Sequence, residues 1–545
     1  MALDISKQLK HIENRYNKGL YRKALDEIRE LENLAKKNFN DCISCQILKS
    51  KIMFNLGYYE DSYEIIKIIT EKTKAKELLD LYIEAIIVEI EISFNLGKYE
   101  YLIDLITESD KLISKLPKNI KNQIFKLQLI IQKGYYYEIK GEFERALELY
   151  NEALNISEVI GDRRGEAKAL FRIGLINRFK GKRDRALEYM LQVLTISEEL
   201  EDTSLKALML KEIGTLYGQK GLLDESLNFT KQSLDLYKIV GSILDLGKVY
   251  INLGVIYEYK GDLTESLKYY NVALNIFKET GNISLLAAAY NNISGIMRKQ
   301  GKLQESLTNI KLALKVFQEI NNIMNIIAVF NTMGQIYHYL GDLENAYLHL
   351  QMAYQLKDKI KNNLSLSKTL YYLISILIDK GEFEKALQLL NEFEIIIQYQ
   401  DNQTILHRYL ISKARLYEKS DNTDDKINAQ EIYNQIIEDA VTDFETTMDA
   451  RINLCHNLLD DPITSNDIEK INEINKQMTF IKENAKSQLS LFLEIEVMVI
   501  NARLTLIKGK QKEGLKLFNQ AKNLAKTIDY KLIEIKNEKY FTNLD

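Results

Sequence analysis

Glycine stands at positions 141, 181, 221, 261, 301, 341 and 381, a fixed stride of 40 residues. A single globular core has no use for such a stride, whereas stacked copies of one supersecondary unit repeat the same turn at the same interval. The flanking residues repeat with it: Lys140-Gly141-Glu-Phe-Glu-Arg-Ala146-Leu147, Lys180-Gly181-Lys-Arg-Asp-Arg-Ala186-Leu187 and Lys380-Gly381-Glu-Phe-Glu-Lys-Ala386-Leu387. Only two prolines, Pro117 and Pro462, interrupt 545 residues, so helix is free to run almost everywhere. The pattern predicts an all-α array whose core grows in one dimension and escapes the size limit of a single core.

One unit can be read from Ala167 to about Glu201. Leu170, Ile173, Gly174 and Asn177 share one face of a first helix, Gly181 supplies the turn, and Ala186, Met190 and Val193 line a second helix. The same first-helix positions read Leu210, Ile213, Gly214 and Tyr217, then Tyr250, Leu253, Gly254 and Tyr257, then Phe330, Met333, Gly334 and Tyr337. A glycine inside a helix costs about 1 kcal/mol against alanine. Its return at 134, 174, 214, 254 and 334 therefore predicts close approach of the paired helix.

This order of large, small and tyrosine positions, then glycine, then Ala146, Ala153, Ala273, Ala313, Ala346, Ala353 and Ala386 on second helices, resembles the tetratricopeptide repeat. The resemblance holds register over about 121–400. It departs from the common pattern in having no Trp at the first aromatic position, no proline between repeats, and a period of 40 rather than 34. The extra residues follow the second helix, as in Asn155 to Gly161, with Gly241, Gly281 and Asn321 in matching places. The longer repeat resembles those of kinesin light chains, LGN-type spindle adaptors, and bacterial peptide-receptor and MalT-like regulators. It implies a right-handed superhelical solenoid of antiparallel helix pairs.

Three regions follow. Residues 1–120 hold irregular repeats around Gly19, Gly57 and Gly97, residues 121–400 the regular array, and residues 401–545 degenerate repeats and a cap. Turns in the last region carry Ser420-Asp421-Asn422 and Asp460-Asp461-Pro462 before Gly509 restores a recognisable unit. The total is about thirteen hairpins. The irregular C-terminal stretch exceeds what a cap needs, which makes it a candidate for a partner site of its own.

The resemblance implies that the free face of each first helix lines a concave groove. The positions singled out there are Lys211, Asn252, Tyr259, Asn291, Asn292, Arg298, Asn331, Gln335, His338, Tyr339, Tyr371 and Tyr372. Asparagine is a mediocre helix former that offers both donor and acceptor, so a row of it suits the backbone of an extended peptide. Tyrosine adds flat amphipathic contact area. The competing reading is compositional, because Asn, Ile and Lys are abundant throughout. A carboxylate clamp of the chaperone-cofactor kind is rejected: its best register reads Lys211, Thr215, Asn252, Ala288 and Asn292, without the later cations.

Other chemistry lacks its context. Cys42-Ile-Ser-Cys45 sits in a helical pattern with no second cysteine pair, which argues against redox or zinc chemistry. Cys455 and His456 are adjacent and point to different faces of a helix. The five histidines show no metal-ligand spacing, and no phosphate-binding glycine loop is present. The expectation is a non-catalytic scaffold, without cofactor or metal, that holds an extended peptide or partner tail. The alternative is a ligand-responsive regulator whose superhelix changes pitch on binding. With 73 basic against 77 acidic residues, the chain gives no electrostatic case for nucleic acid. No apolar run reaches the length of a membrane span. The N-terminus lacks an apolar secretory segment, and three cysteines make no disulfide framework, so a cytoplasmic location is expected. The end of a solenoid also offers a stacking surface to a second copy.

Overall fold

The computed structural model describes the chain except for residues 1–4, 99–100, 321, 358–362, 399–401, 421, 440–443, 462–463, 465–466, 488 and 542–545. Asn321, Asp421 and Pro462, named above as turn residues, lie outside the described residues. Among those described there are twenty-seven α-helices and no strand. In chain order the N-terminal helices are α1 (Ile5–Asn17), α2 (Tyr21–Ala35), α3 (Phe39–Leu56), α4 (Tyr59–Ala75), α5 (Leu79–Leu96) and α6 (Leu102–Ile113). The regular array comprises α7 (Ile120–Ile139), α8 (Phe143–Ile160), α9 (Arg163–Phe179), α10 (Arg183–Glu199), α11 (Thr203–Gln219), α12 (Leu223–Val240), α13 (Ile243–Tyr259) and α14 (Leu263–Glu279). It continues through α15 (Ile283–Lys299), α16 (Leu303–Glu319), α17 (Ile323–Tyr339), α18 (Leu343–Gln355), α19 (Asn363–Asp379) and α20 (Phe383–Gln398). The C-terminal helices are α21 (Gln403–Tyr417), α22 (Thr423–Glu438), α23 (Phe444–Asp460), α24 (Ile468–Ser487), α25 (Leu491–Ile507), α26 (Gln511–Thr527) and the short α27 (Leu532–Asn537). The first twenty-six make thirteen successive pairs, and α27 lies where the sequence places a cap.

The 40-residue period resolves into two helices of about 17 residues and two short turns. Asn155 to Ile160 are helical, so the added residues lengthen the second helix rather than form a loop. At each glycine of the stride, φ lies between +74° and +81°, a left-handed conformation that costs an L-residue about 1–2 kcal/mol. The turn back into the next first helix is closed by side-chain caps: Asp162, Asp202, Asn282 and Asn322 each accept backbone N–H bonds at a helix start. Within the helices, a Cβ on Gly134 would sit 2.5 Å from Tyr150, one on Gly214 2.6 Å from Thr230, and one on Gly334 2.5 Å from Leu350. The predicted close approach is present, and its partner is the residue sixteen positions on.

The chain forms two compact units, Met1–Ile256 with Asn275–Gly281, and Tyr257–Leu274 with Asn282–Asp545. The three sequence regions mark changes in repeat regularity, whereas the units mark where contacts concentrate. The first unit folds back on itself. Thr203 N donates to Lys18 O at 3.2 Å, Lys18 pairs with Glu201 at 2.5 Å, and Arg164 donates to the carbonyl of Asn17. Ile12, Ala24, Ile28 and Ile52 share one apolar core with Ala207, Tyr237 and Val249. The second unit does likewise: Phe492, Ile495, Phe518 and Ile528 of its end share a core with Ile310, Phe317 and Phe330 of its beginning.

Candidate functional site

The positions singled out from the sequence lie on one face of the first helices α11, α13, α15, α17 and α19. In the first unit this face is polar, half-buried and cross-linked from helix to helix. Lys211 on α11 pairs with Glu212 at 3.0 Å, and Glu212 also receives Arg178. Asn252 on α13 donates Nδ2 to Thr215 Oγ1 at 3.0 Å. Further back, the Arg172 guanidinium lies 3.9 Å over the Tyr135 ring and 3.7 Å from Glu138, and Lys51 pairs with Glu84 at 2.5 Å. Lys51 holds the Glu84 carboxyl below its ordinary range, against the opposing effect of burial.

In the second unit, Tyr259 at the end of α13 is 66 % exposed, and Asn291 and Asn292 on α15 are half-buried. One turn further, Gly295 faces open space: a Cβ there would meet no atom within 4 Å. Next on that face comes Arg298, whose guanidinium lies 5.9 Å from the Tyr339 ring. From α17 onward the chain's own C-terminal helices cover the wall. Gln335 donates to Glu445 at 3.0 Å, Tyr371 donates to Asp449, and Tyr339 stacks on Phe492 at 4.5 Å with Tyr530 edge-on at 5.5 Å. Asn331, Gln335 and Tyr371 are accordingly buried, at 3 %, 7 % and 3 % exposure. Tyr372 packs tilted on Tyr371 at 5.0 Å.

Asp379, the last residue of α19, is the electrostatic centre of this wall. His338 Nε2 lies 2.7 Å from it, Arg415 of α21 3.1 Å and Lys536 of the cap helix 3.0 Å. Burial alone would raise its pKa, but Lys536, Arg415 and His338 outweigh burial and hold the carboxyl well below its ordinary range. Burial in turn pushes the His338 imidazole below its usual value, with Asp379 opposing. Asp449 is shifted the other way, to about 6, by burial and the neighbouring Glu445. Among the described residues, two polar atoms on the wall are buried without a hydrogen-bond partner, Arg298 Nε and Asn331 Oδ1.

Sequence reasoning did not find Asp379, Arg415, Glu445, Asp449, Phe492, Tyr530 or Lys536. One signal was present: position 379 carries an acid where the equivalent positions carry Phe179, Gln219, Tyr259, Lys299 and Tyr339. The cysteines are free; Cys45 and Cys455 are buried and Cys42 half-buried. Burial pushes the thiols of Cys45 and Cys455 up to about 12, which suits packing and not nucleophilic attack. Among the described residues no group of three or more His, Cys, Asp or Glu could hold a metal ion, and no helix is long and apolar enough to cross a membrane.

The sequence model of the MalT-like TPR region matches residues 244–530, and that of the tetratricopeptide repeat matches 127–199 and 204–279. No curated protein matches the chain. Among solved structures, a Rap protein complexed with competence and sporulation factor is 16 % identical, covers 67 % of this chain and 99 % of its own, and superposes with a TM-score of 0.50. The apo form of the quorum sensor NprR from B. thuringiensis is 12 % identical over 73 % of this chain and 97 % of its own, at a TM-score of 0.41. Aspartyl phosphate phosphatase F from Bacillus subtilis is 15 % identical over 66 % and 95 %, at 0.43. At these identities the likeness is one of fold.

Proposed function

The chain belongs to the family of MalT-like TPR regions, and from that premise we propose that it is a non-catalytic partner-binding scaffold that holds an extended peptide or partner tail on its inward faces. The observation that carries this reading lies in the second unit. Buried polar atoms are satisfied almost without exception in folded proteins. Arg298 Nε and Asn331 Oδ1 are not, and the notch at Gly295 opens one turn from Arg298. An extended backbone beside the Gly295 notch supplies a carbonyl to accept from Arg298, and one that displaces the C-terminal cover supplies an N–H to donate to Asn331. Asn291 and Asn292 stand half-exposed on the same helix for further contacts of that kind. In the first unit, Lys211 and Asn252 offer an equivalent polar wall.

Filling the notch is the direct test. Gly295→Leu removes a helical glycine, which should leave the melting temperature unchanged or raised by the equivalent of about 1 kcal/mol. It should also displace partners from the wall. Quantitative mass spectrometry of proteins captured by wild type and variant should show a defined set lost from the variant. Identical captured sets would end the groove assignment.

A second reading is supported by the cover itself. A partner that engages Gln335, Tyr339 or Tyr371 must displace Glu445, Phe492 or Asp449, so binding there would open the second unit. This is the ligand-responsive regulator, and the Rap protein bound to competence and sporulation factor has the same fold. Hydrogen exchange in α25–α27 that is unchanged by saturating partner would remove its basis.

A further inference from the structure

The seven equivalent turns of the regular array are not electrostatically equivalent. Residues 180–185 read Lys-Gly-Lys-Arg-Asp-Arg, four cations against one carboxylate. At the turns beginning at 140, 220, 260, 300, 340 and 380, carboxylates equal or outnumber cations. In a chain of net charge −4, this concentration at one structural position is not a general basic bias.

The local pairing makes the excess larger. Turn lysines are consumed by a carboxylate 36 positions earlier: Lys180 by Glu144 at 2.6 Å, Lys220 by Asp184 at 2.8 Å and Lys380 by Glu344 at 2.7 Å. Asp184, the one carboxylate of the basic turn, is thus spent on Lys220. Lys182, Arg183 and Arg185 are exposed, and among the described residues none of them makes an ion pair within 4.0 Å. These three line a cleft of about 540 Å³ with Gly181, Asp184 and Lys220. Beside it Phe179 is 60 % exposed and packs on Phe143 at 4.8 Å, an aromatic surface with no apolar cover of its own.

Three exposed cations around a cleft beside the exposed Phe179 ring have a definite complement. The geometry points to a second interaction surface, at the α9–α10 turn of the first unit, that receives an acidic protein segment carrying an apolar residue. The carboxylates meet Lys182, Arg183 and Arg185, and the apolar residue packs on Phe179, whose ring gives area beyond charge pairing. Charge complementarity of this kind sets encounter rate and specificity and weakens with salt. Nucleic acid fits less well, because its affinity comes from many phosphate contacts and the basic footprint here spans one turn. This surface lies outside the inward faces, so it stands or falls independently of the groove.

A fluorescein-labelled twelve-residue peptide of glutamates around one phenylalanine tests it by anisotropy with the full chain. The triple reversal Lys182→Glu, Arg183→Glu, Arg185→Glu should weaken binding at least about 20-fold at 50 mM salt. Lys380→Glu with Lys385→Glu reverses cations that are already paired and should change affinity less than about twofold. Phe179→Ser should weaken binding about fivefold without altering the salt dependence. Equal losses in the triple and control variants would reduce the effect to a general field and overturn the proposal. So would absence of binding by wild type, or tighter binding of a single-stranded oligonucleotide of equal charge.

Discussion

The two units solve one problem by different means. Each has two ends that must meet across its interior. The first joins them along the turns: Lys18 to Glu201 and Thr203, Arg164 to Asn17, and Gly19 so close to Ser204 that a Cβ would lie 2.5 Å from its backbone N. Its inward face stays polar and half-exposed. The second joins them through its interior, where Phe492, Tyr530, Glu445, Asp449 and Lys536 sit on the wall that α17 and α19 present. The first unit's ends also share an apolar core around Ile12, Ile28 and Tyr237, whereas the second adds aromatic and charged contacts on the faces of α17 and α19. The polar face around Lys211 and Asn252 in the first unit is half-buried, whereas Asn331, Gln335 and Tyr371 in the second are buried.

The sharpest way to break the comparison is to remove the charge centre of the second unit. Asp379→Asn leaves Arg415, Lys536 and His338 around a neutral amide, and stripping one partner from a buried network costs several kcal/mol. The expected loss is about 3 kcal/mol, confined to the second unit. Hydrogen exchange should accelerate in α17–α27 while α1–α12 keep their protection. Uniform acceleration would show that the two units are not separate in stability.

A pair of glycine substitutions sharpens the picture of closure. Gly301→Ala and Gly381→Ala both place an L-residue at a φ near +78°, a common cost of about 1–2 kcal/mol. At 381 a Cβ meets nothing within 4 Å, whereas at 301 it lies 2.5 Å from Ile528 of the unit's far end. The 301 variant should lose about 1 kcal/mol more by chemical denaturation. Equal losses would mean that the closing contact adds nothing.

A pH dependence also arises in the second unit. Burial pushes Glu418 up to about 7, with Lys419 and Arg415 opposing. A raised carboxyl pKa contributes stability below the unfolded value near 4.3 and loses it as pH rises through 7. Glu418→Gln should therefore gain on wild type between pH 5 and pH 8, by on the order of 2 kcal/mol. A pH-independent difference would place Glu418 in water.

Local features of the fold were legible because they recur. The glycine stride, the packing glycines at 134, 214 and 334, and the thirteen hairpins follow from interactions within about twenty residues, which a period exposes. The interior of the second unit was not legible. Tyr339 and Phe492 are 153 positions apart, and nothing in a repeat announces which later helix will reach across it. The degeneracy of residues 401–545 has a physical reason in hindsight: side chains such as Glu445, Asp449 and Phe492 are shaped to the wall they meet and not to a consensus. The asparagine row split for the same cause. Asn252, Asn291 and Asn292 keep half-exposed positions, and Asn331 lies under the cover.

The turn-to-turn junctions also bear on how such a chain can change over generations. Open solenoids gain or lose whole repeats by duplication and deletion, since each copy touches only its neighbours. Here Gly19 must find Ser204, Gly57 must find Leu244, and Gly301 must find Ile528. Inserting or excising 40 residues between either member and its mate would carry one rim past the other. Each of these contacts therefore ties the number of residues between its two members to the closure of its unit.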